Sequence, residues 1–178
     1  MRLHKRNLVM EAVDVIDNFL PEHKFKTLQS IMMGDGFRWF YKDYIAYKGV
    51  EDGQYQFTRI FWASKGVDPY MEKDVGSQSL KLLEAFQELG SMHRIKSNLR
   101  TRTIFHRRSS YHIDEVPNCT KTAIFYVNTS NGWTQFKRSG KKIKSVANRL
   151  LVFDSNLEHA GFSCTDKKIR VVINFNYE

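Results

Sequence analysis

From Arg94 onward the chain consists of short β-prone runs separated by turn-forming residues, and this texture limits the fold more than any other feature. The runs are Ile95 to Phe105, Thr122 to Asn128, Trp133 to Phe136, Leu150 to Asp154 and Ile169 to Tyr177. Between them stand Thr129-Ser130-Asn131-Gly132, Arg138-Ser139-Gly140 and Thr165-Asp166, residues that favour turns. Many short strands at such spacing bury their apolar faces by forming a barrel or jelly roll. In the last run Ile169, Val171, Ile173, Phe175 and Tyr177 alternate with Arg170, Val172, Asn174 and Asn176. One face is wholly apolar and the other partly polar. In a small barrel this predicts an apolar side packed outward against helices and a polar side lining a pocket. Thr122 to Asn128 repeats the device, with Ala123, Phe125 and Val127 opposed to Ile124, Tyr126 and Asn128.

The first half reads as support. Val13 to Phe19 is a candidate short strand. Pro21 suits the first turn of a helix, where its missing N–H costs nothing. Phe25, Leu28, Ile31 and Met32 then follow at helical spacing, and Gly34 is the stop. Phe37 to Tyr41 and Gln56 to Trp62 are aromatic and β-prone, with a loop at Gly49 to Gly53 between them. A second helix is expected from Ser77, as N-cap, to Leu89, with Gly90 as the stop and Leu80, Leu83, Phe86 and Leu89 as its buried stripe. Core packing is the expected role of most of these aromatics. With no repeat, low-complexity stretch or linker, residues 1–178 read as one domain, 1–93 supporting and 94–178 forming the core that carries the site.

Composition narrows the partners. The formal charge of +9 favours anions: nucleic acid, a membrane surface or a small acidic substrate. Two cysteines, Cys119 and Cys164, are too few for a disulfide framework and read as reduced thiols. Glu11, Asp14 and Asp17 interrupt the apolar stretch near the start, and no run reaches membrane-spanning length. The expectation is a soluble protein of the cytoplasm (the host cytoplasm if viral) with no membrane partner.

Chemistry concentrates in the last third. Tyr111-His112-Ile113-Asp114 is followed by His159-Ala160-Gly161 and then by Arg170. In an extended segment His112 and Asp114 point to the same side, so both can meet one ion. Two histidines and a carboxylate with open positions are the ligand set of non-haem Fe(II) oxygenases. With six histidines and 19 acids in the chain, His-x-Asp alone carries little weight; its context carries more. Arg170, on the polar face of the last run, would lie in the pocket, where a buried charge needs an anion. A ligand carboxylate matches its guanidinium fork, and Tyr126 could offer its hydroxyl to the same group.

These segments resemble the 2-oxoglutarate- and Fe(II)-dependent dioxygenases, and most of all their small prolyl-hydroxylase-like members, including those carried by phage. The match runs through His112-Ile113-Asp114, Ala123 to Asn128, Gly132-Trp133-Thr134, Ala147 to Asp154, His159-Ala160-Gly161 and Arg170 to Phe175, with a softer likeness at Ile16 to Pro21. The resemblance implies a mainly β fold with supporting helices (α+β), its core a double-stranded β-helix of the jelly-roll, cupin-like kind. It assigns the metal to His112, Asp114 and His159, and the distal 2-oxoglutarate carboxylate to Arg170 with Tyr126. Thr134, Asn174 and Asn98 are further candidates near the co-substrate. The implied cofactors are Fe(II), 2-oxoglutarate and O2, with ascorbate an optional one.

A peptide or protein substrate, hydroxylated at a prolyl residue, is the leading expectation. The alternative is an oxygenase acting on nucleic acid or nucleotides, motivated by the charge and by basic clusters at Arg100, Arg102, Arg107 and Arg108 and at Lys137 to Lys144. Against it stands Asn176, where nucleic-acid demethylases of the superfamily carry a second arginine. A third reading is a jelly-roll binding module without catalysis. The aromatics Trp39, Tyr41, Phe61 and Trp62 are candidates for a groove that takes a proline-rich chain.

Overall fold

The computed structural model describes residues 12–49, 53–63, 83–114 and 116–178. In chain order its elements are β1 (Val13–Ile16), α1 (Glu22–Met33), β2 (Phe40–Lys42), β3 (Gln56–Ala63), a 3-10 helix (Glu84–Leu89) and β4 (Met92–Thr101). Then follow β5 (Lys121–Tyr126), β6 (Trp133–Phe136), β7 (Lys142–Lys144), β8 (Arg149–Asp154), β9 (His159–Gly161) and β10 (Ile169–Tyr177). Seven strands form one sheet in the order β1-β8-β5-β10-β4-β3-β2, and three form a second in the order β7-β6-β9. Every pairing is antiparallel. The two sheets face each other as a jelly-roll core, with helical cover on the outer face of the larger one.

The alternation in β5 and β10 divides the molecule as the sequence predicts. Ala123, Phe125, Val171, Ile173, Phe175 and Tyr177 enter a cluster with Phe25, Leu28 and Met32 of α1 and Phe86 of the 3-10 helix. The opposite faces supply Ile124, Tyr126 and Val172 to a second cluster with Phe136, Ile143, Leu151 and Phe153, between the sheets. Burying a large apolar side chain contributes about 1.5–3 kcal/mol. Phe125 is the hub of the outer cluster, its ring packed on Phe19, Phe25 and Phe86.

Helix α1 has the expected form. Pro21 stands at its N-cap and Phe25, Leu28 and Met32 form its buried stripe. Gly34 closes it, where a Cβ would lie 2.9 Å from the Ser30 carbonyl oxygen. Gln29 ties the helix to the sheet by donating to the Val127 carbonyl at 2.7 Å.

Several boundaries differ from the sequence reading. The strand expected over Ile95 to Phe105 ends at Thr101, and Ile104 and Phe105 stand exposed in the loop that follows. The helix expected from Ser77 to Leu89 lies partly outside the described residues, and its last part, Glu84–Leu89, is 3-10 rather than α. Two strands went unforeseen. Lys142-Ile143-Lys144 reads as a charge run, yet Ile143 is buried and pairs with Thr134. His159 to Gly161 is too short to show a period but adds β9 to the second sheet. Of the suggested aromatic groove, Phe61 is fully buried and Trp39 and Trp62 pack on the core; Tyr41 alone of the four is well exposed. Cys119 and Cys164 are free thiols. Among the described residues no helix is long and apolar enough to cross a membrane.

Candidate active site

A cavity of about 290 Å3 opens between the sheets. Its lining comes from the polar faces of β4 and β10, from β6 and β9, and from the segments around Tyr47 and His112.

His112, Asp114 and His159 meet at one end, each offering a ligand atom within 4.8 Å of the others. The backbone fixes this convergence: His112 and His159 form an antiparallel bridge with both N–H···O contacts at 3.0 Å. Each imidazole turns Nδ1 to a backbone carbonyl, His112 to Ser110 at 3.1 Å and His159 to Leu157 at 3.0 Å. That contact suits a protonated Nδ1, which leaves Nε2 with a free lone pair, as metal-ligating histidines require. Burial holds His159 below the usual imidazole range, with His112 adding to the shift against the pull of Asp114. The neutral ring is the one that ligates.

Asp114 is oriented through both oxygens. Arg94 donates to Oδ1 at 2.9 Å, while Asn176 and Thr122 donate to Oδ2 at 3.1 and 3.3 Å. Burial favours its protonated form, but His159, Arg94, His112 and Asn176 together outweigh burial and hold the carboxyl below the usual carboxylate range. Two imidazole nitrogens beside an ionised carboxylate fit a divalent ion with open positions.

Arg170 lies at the far end of the same pocket, 4% exposed. Its guanidinium donates to Ser145 Oγ at 2.7 Å and Thr134 Oγ1 at 3.2 Å, and its carbon lies 5.6 Å from the Tyr126 ring centre. No carboxylate among the described residues pairs with it. Burial works against its charge, which is the state of a cation waiting for an anion. Gly132 makes room: a Cβ there would meet Arg170 Cδ at 2.7 Å and the Phe162 carbonyl oxygen at 2.8 Å. Tyr126 sits behind the wall, fully buried. Its hydroxyl donates to Thr134 at 2.9 Å, so it supports the arginine's neighbour, and burial raises its pKa.

Thr134, Asn98 and Asn174 all line the cavity. Asn174 Oδ1 is buried without a hydrogen-bond partner among the described residues. On the flank formed by β4 the sequence singles out Asn98 alone for the pocket, yet Arg94, Lys96 and Arg100 share the same side. The signal was present as a period of two, hidden because a strand of such charge looks like a solvated surface. Arg100 is buried and donates to the Gly161 carbonyl at 2.9 Å and Gln54 Oε1 at 2.8 Å, so one member of a suspected basic patch is internal. Lys96 is pushed down to about 8, chiefly by burial and then by Arg94.

Comparison with solved structures finds this arrangement of strands in several known proteins. An oxidoreductase of the 2OG-Fe(II) oxygenase family from Burkholderia pseudomallei superposes with TM-score 0.68 at 10% identity, covering 92% of this chain and 84% of that one. A prolyl hydroxylase from Trichoplax adhaerens, in complex with a hypoxia inducible factor peptide fragment, gives 0.61 at 14% identity over 94% and 84%. A Pseudomonas putida prolyl-4-hydroxylase gives 0.57 at 16% identity over 96% and 95%. The fold is the one these oxygenases share. No protein-family model and no curated protein sequence matches the chain. Within this oxygenase fold, the convergent histidines and carboxylate lie at one end of the cavity and the buried arginine at the other.

Proposed function

We propose that the protein is an Fe(II)- and 2-oxoglutarate-dependent oxygenase that hydroxylates a peptidyl, prolyl substrate. One observation carries the reading. A single pocket holds a His-Asp-His cluster able to grip a divalent ion and, apart from it, a buried arginine without an acidic partner among the described residues. A 2-oxo diacid has the two ends such a pocket asks for, a chelating one and a carboxylate.

His112, Asp114 and His159 would hold the iron. Bound iron with 2-oxoglutarate supplies oxygen activation and C–H oxidation, chemistry that no side chain offers. The chain's own part is positioning. Arg94, Asn176 and Thr122 fix the Asp114 carboxylate, and Leu157 and Ser110 fix the imidazoles. Arg170, set by Ser145 and Thr134, anchors the distal carboxylate bidentately. Ile124 and Val172 give the wall an apolar stretch that limits water.

The peptide reading is supported by the peptide fragment in the Trichoplax prolyl hydroxylase and by the prolyl-hydroxylase descriptions of other similar structures. Asn176, where a second arginine would favour the nucleic-acid reading, is bonded to Asp114 instead. The test is succinate release from 2-oxoglutarate with Fe(II) and O2, using proline-containing peptides and single-stranded oligonucleotides. Peptide-dependent release with a 16 Da gain on proline, the mass of one oxygen atom, is the expected result. Turnover stimulated by oligonucleotides alone would reverse the assignment.

A further inference from the structure

Four residues of β4 face the pocket, and chemistry described above occupies Arg94 and Arg100. Lys96 is different. Its ammonium makes neither a hydrogen bond nor an ion pair with any described residue. Its charged surroundings are Arg94 and Lys42, which repel it, and Asp114, which attracts it but whose oxygens are already engaged by three donors. Across the β4–β10 pairing Lys96 stands opposite Asn174, whose buried Oδ1 also lacks a partner. A cation without an anion and an acceptor without a donor therefore stand side by side on the pocket wall. They are two residues along their strands from Arg94 and Asn176, the pair that holds Asp114, a step of about 7 Å.

Neither atom is needed at the Arg170 end. Among the described residues the charged side chains of the lining are Arg94, Lys96, Arg100 and Arg170 against Asp114, beside two imidazoles and the Tyr47 phenol, with Arg100 already held by Gly161 and Gln54. A divalent ion and a doubly charged co-substrate cancel each other, so their arrival leaves this cationic excess in place. A poorly solvated excess of this kind favours a further anion.

We infer that Lys96 and Asn174 anchor the substrate of the proposed oxygenase: Lys96 binds a substrate carboxylate and Asn174 Oδ1 accepts an N–H a few bonds from it. This rests on the hydroxylase reading and narrows it to an acidic substrate. In a peptide, one aspartate beside the target proline supplies both groups, its backbone N–H and its side-chain carboxylate. A free imino acid presents the same two groups, through its α-carboxylate and its amine.

The test separates binding from turnover. Protein loaded with Mn(II) and 2-oxoglutarate is kept free of O2, and the affinity of a labelled peptide containing Pro-Asp is compared with its Pro-Asn counterpart by fluorescence anisotropy. Wild-type protein should prefer the acidic peptide about tenfold, and Lys96→Gln should remove most of that preference while Lys96→Arg keeps it. Asn174→Val should weaken both peptides alike, since it reads the N–H and not the charge. Competition by unlabelled L-proline identifies the source of the carboxylate: displacement by L-proline that depends on Lys96, without peptide binding, assigns the anchor to a free imino acid. Equal affinity for the two peptides, a preference that survives Lys96→Gln, no binding of peptide or proline, or a Lys96→Gln loss falling on 2-oxoglutarate instead would each overturn the inference. Succinate release by the aerobic Fe(II) protein is read separately. Lys96-dependent binding without succinate release keeps the anchor and rejects the hydroxylase reading.

Discussion

Replacing Arg94 with methionine isolates what it takes to hold the proposed metal carboxylate in place. Methionine keeps most of the aliphatic stem and removes the guanidinium, and with it the 2.9 Å bond to Asp114 Oδ1. The pair is well shielded, with side chains 24% and 6% exposed, so solvent screening removes little of its strength. A hydrogen bond to a charged group contributes about 1.5–3 kcal/mol. Arg94 also donates to Asn176 Oδ1 at 2.9 Å, and Asn176 in turn holds Asp114 Oδ2, so the substitution loosens a second donor and places the loss in the upper part of that range. Metal affinity should fall roughly 10- to 100-fold, the range found when such outer partners of metal ligands are removed. The pH dependence has a definite sign. Arg94 is one of the interactions that hold the Asp114 carboxyl below its usual range, so without it the carboxyl protonates at higher pH. Only the ionised carboxylate ligates, and the acid limb of metal binding should move to higher pH. Mn(II) titration followed by electron paramagnetic resonance, from mildly acidic to neutral pH, reads both effects, and thermal unfolding checks that the variant is folded. A folded Arg94→Met protein with wild-type Mn(II) affinity and an unmoved acid limb would refute the reasoning.

The other end of the pocket gives independent tests. Arg170→Gln should weaken 2-oxoglutarate binding by about 2–5 kcal/mol, with Tyr126→Phe giving a milder loss, as read by isothermal titration of the Mn(II) protein; unchanged affinity in Arg170→Gln would reject the anchor. Gly132→Ala drives a methyl into Arg170 Cδ and the Phe162 carbonyl, so it should raise the Kd for 2-oxoglutarate while leaving Mn(II) affinity near wild type. His159→Ala should abolish tight Mn(II) binding; retention of wild-type affinity would remove His159 from the cluster. Phe125→Ala opens a cavity among Phe19, Phe25 and Phe86 and should cost about 3–5 kcal/mol in denaturant unfolding, far from the pocket chemistry.

Much of this arrangement is legible in the residues themselves. The period of two in Ile169 to Tyr177 separates a face for the helices from a face for the pocket, because pleating leaves a strand no other choice. His112, Asp114 and His159 are findable because their chemistry is distinctive. What escaped depends on pairings between distant parts of the chain. Arg94 meets Asp114 only because its strand runs beside β10, which brings Asn176 to the same carboxylate. Lys142 to Lys144 looks like solvated charge because one buried isoleucine among lysines has no period to show. Trp39 and Trp62 look like binding aromatics, but a ring's own sequence does not say which face of a sheet it will cover; Trp62 spends its indole N–H on the Met92 carbonyl.

The place of β10 in the larger sheet has a consequence for biogenesis. Strands β1, β8 and β5 lie on one side of it and β4, β3 and β2 on the other, and among the described residues no other strand joins the two groups. Without residues 169–177, β5 and β4 would each be left with a bare edge. Such edges are templates for pairing with other chains, so the interval before β10 is threaded between them is the time of greatest aggregation risk. The same strand brings Arg170 and Asn174 to the pocket and Asn176 to the Asp114 carboxylate. The strand that closes the larger sheet is thus also the one that sets the far wall of the pocket.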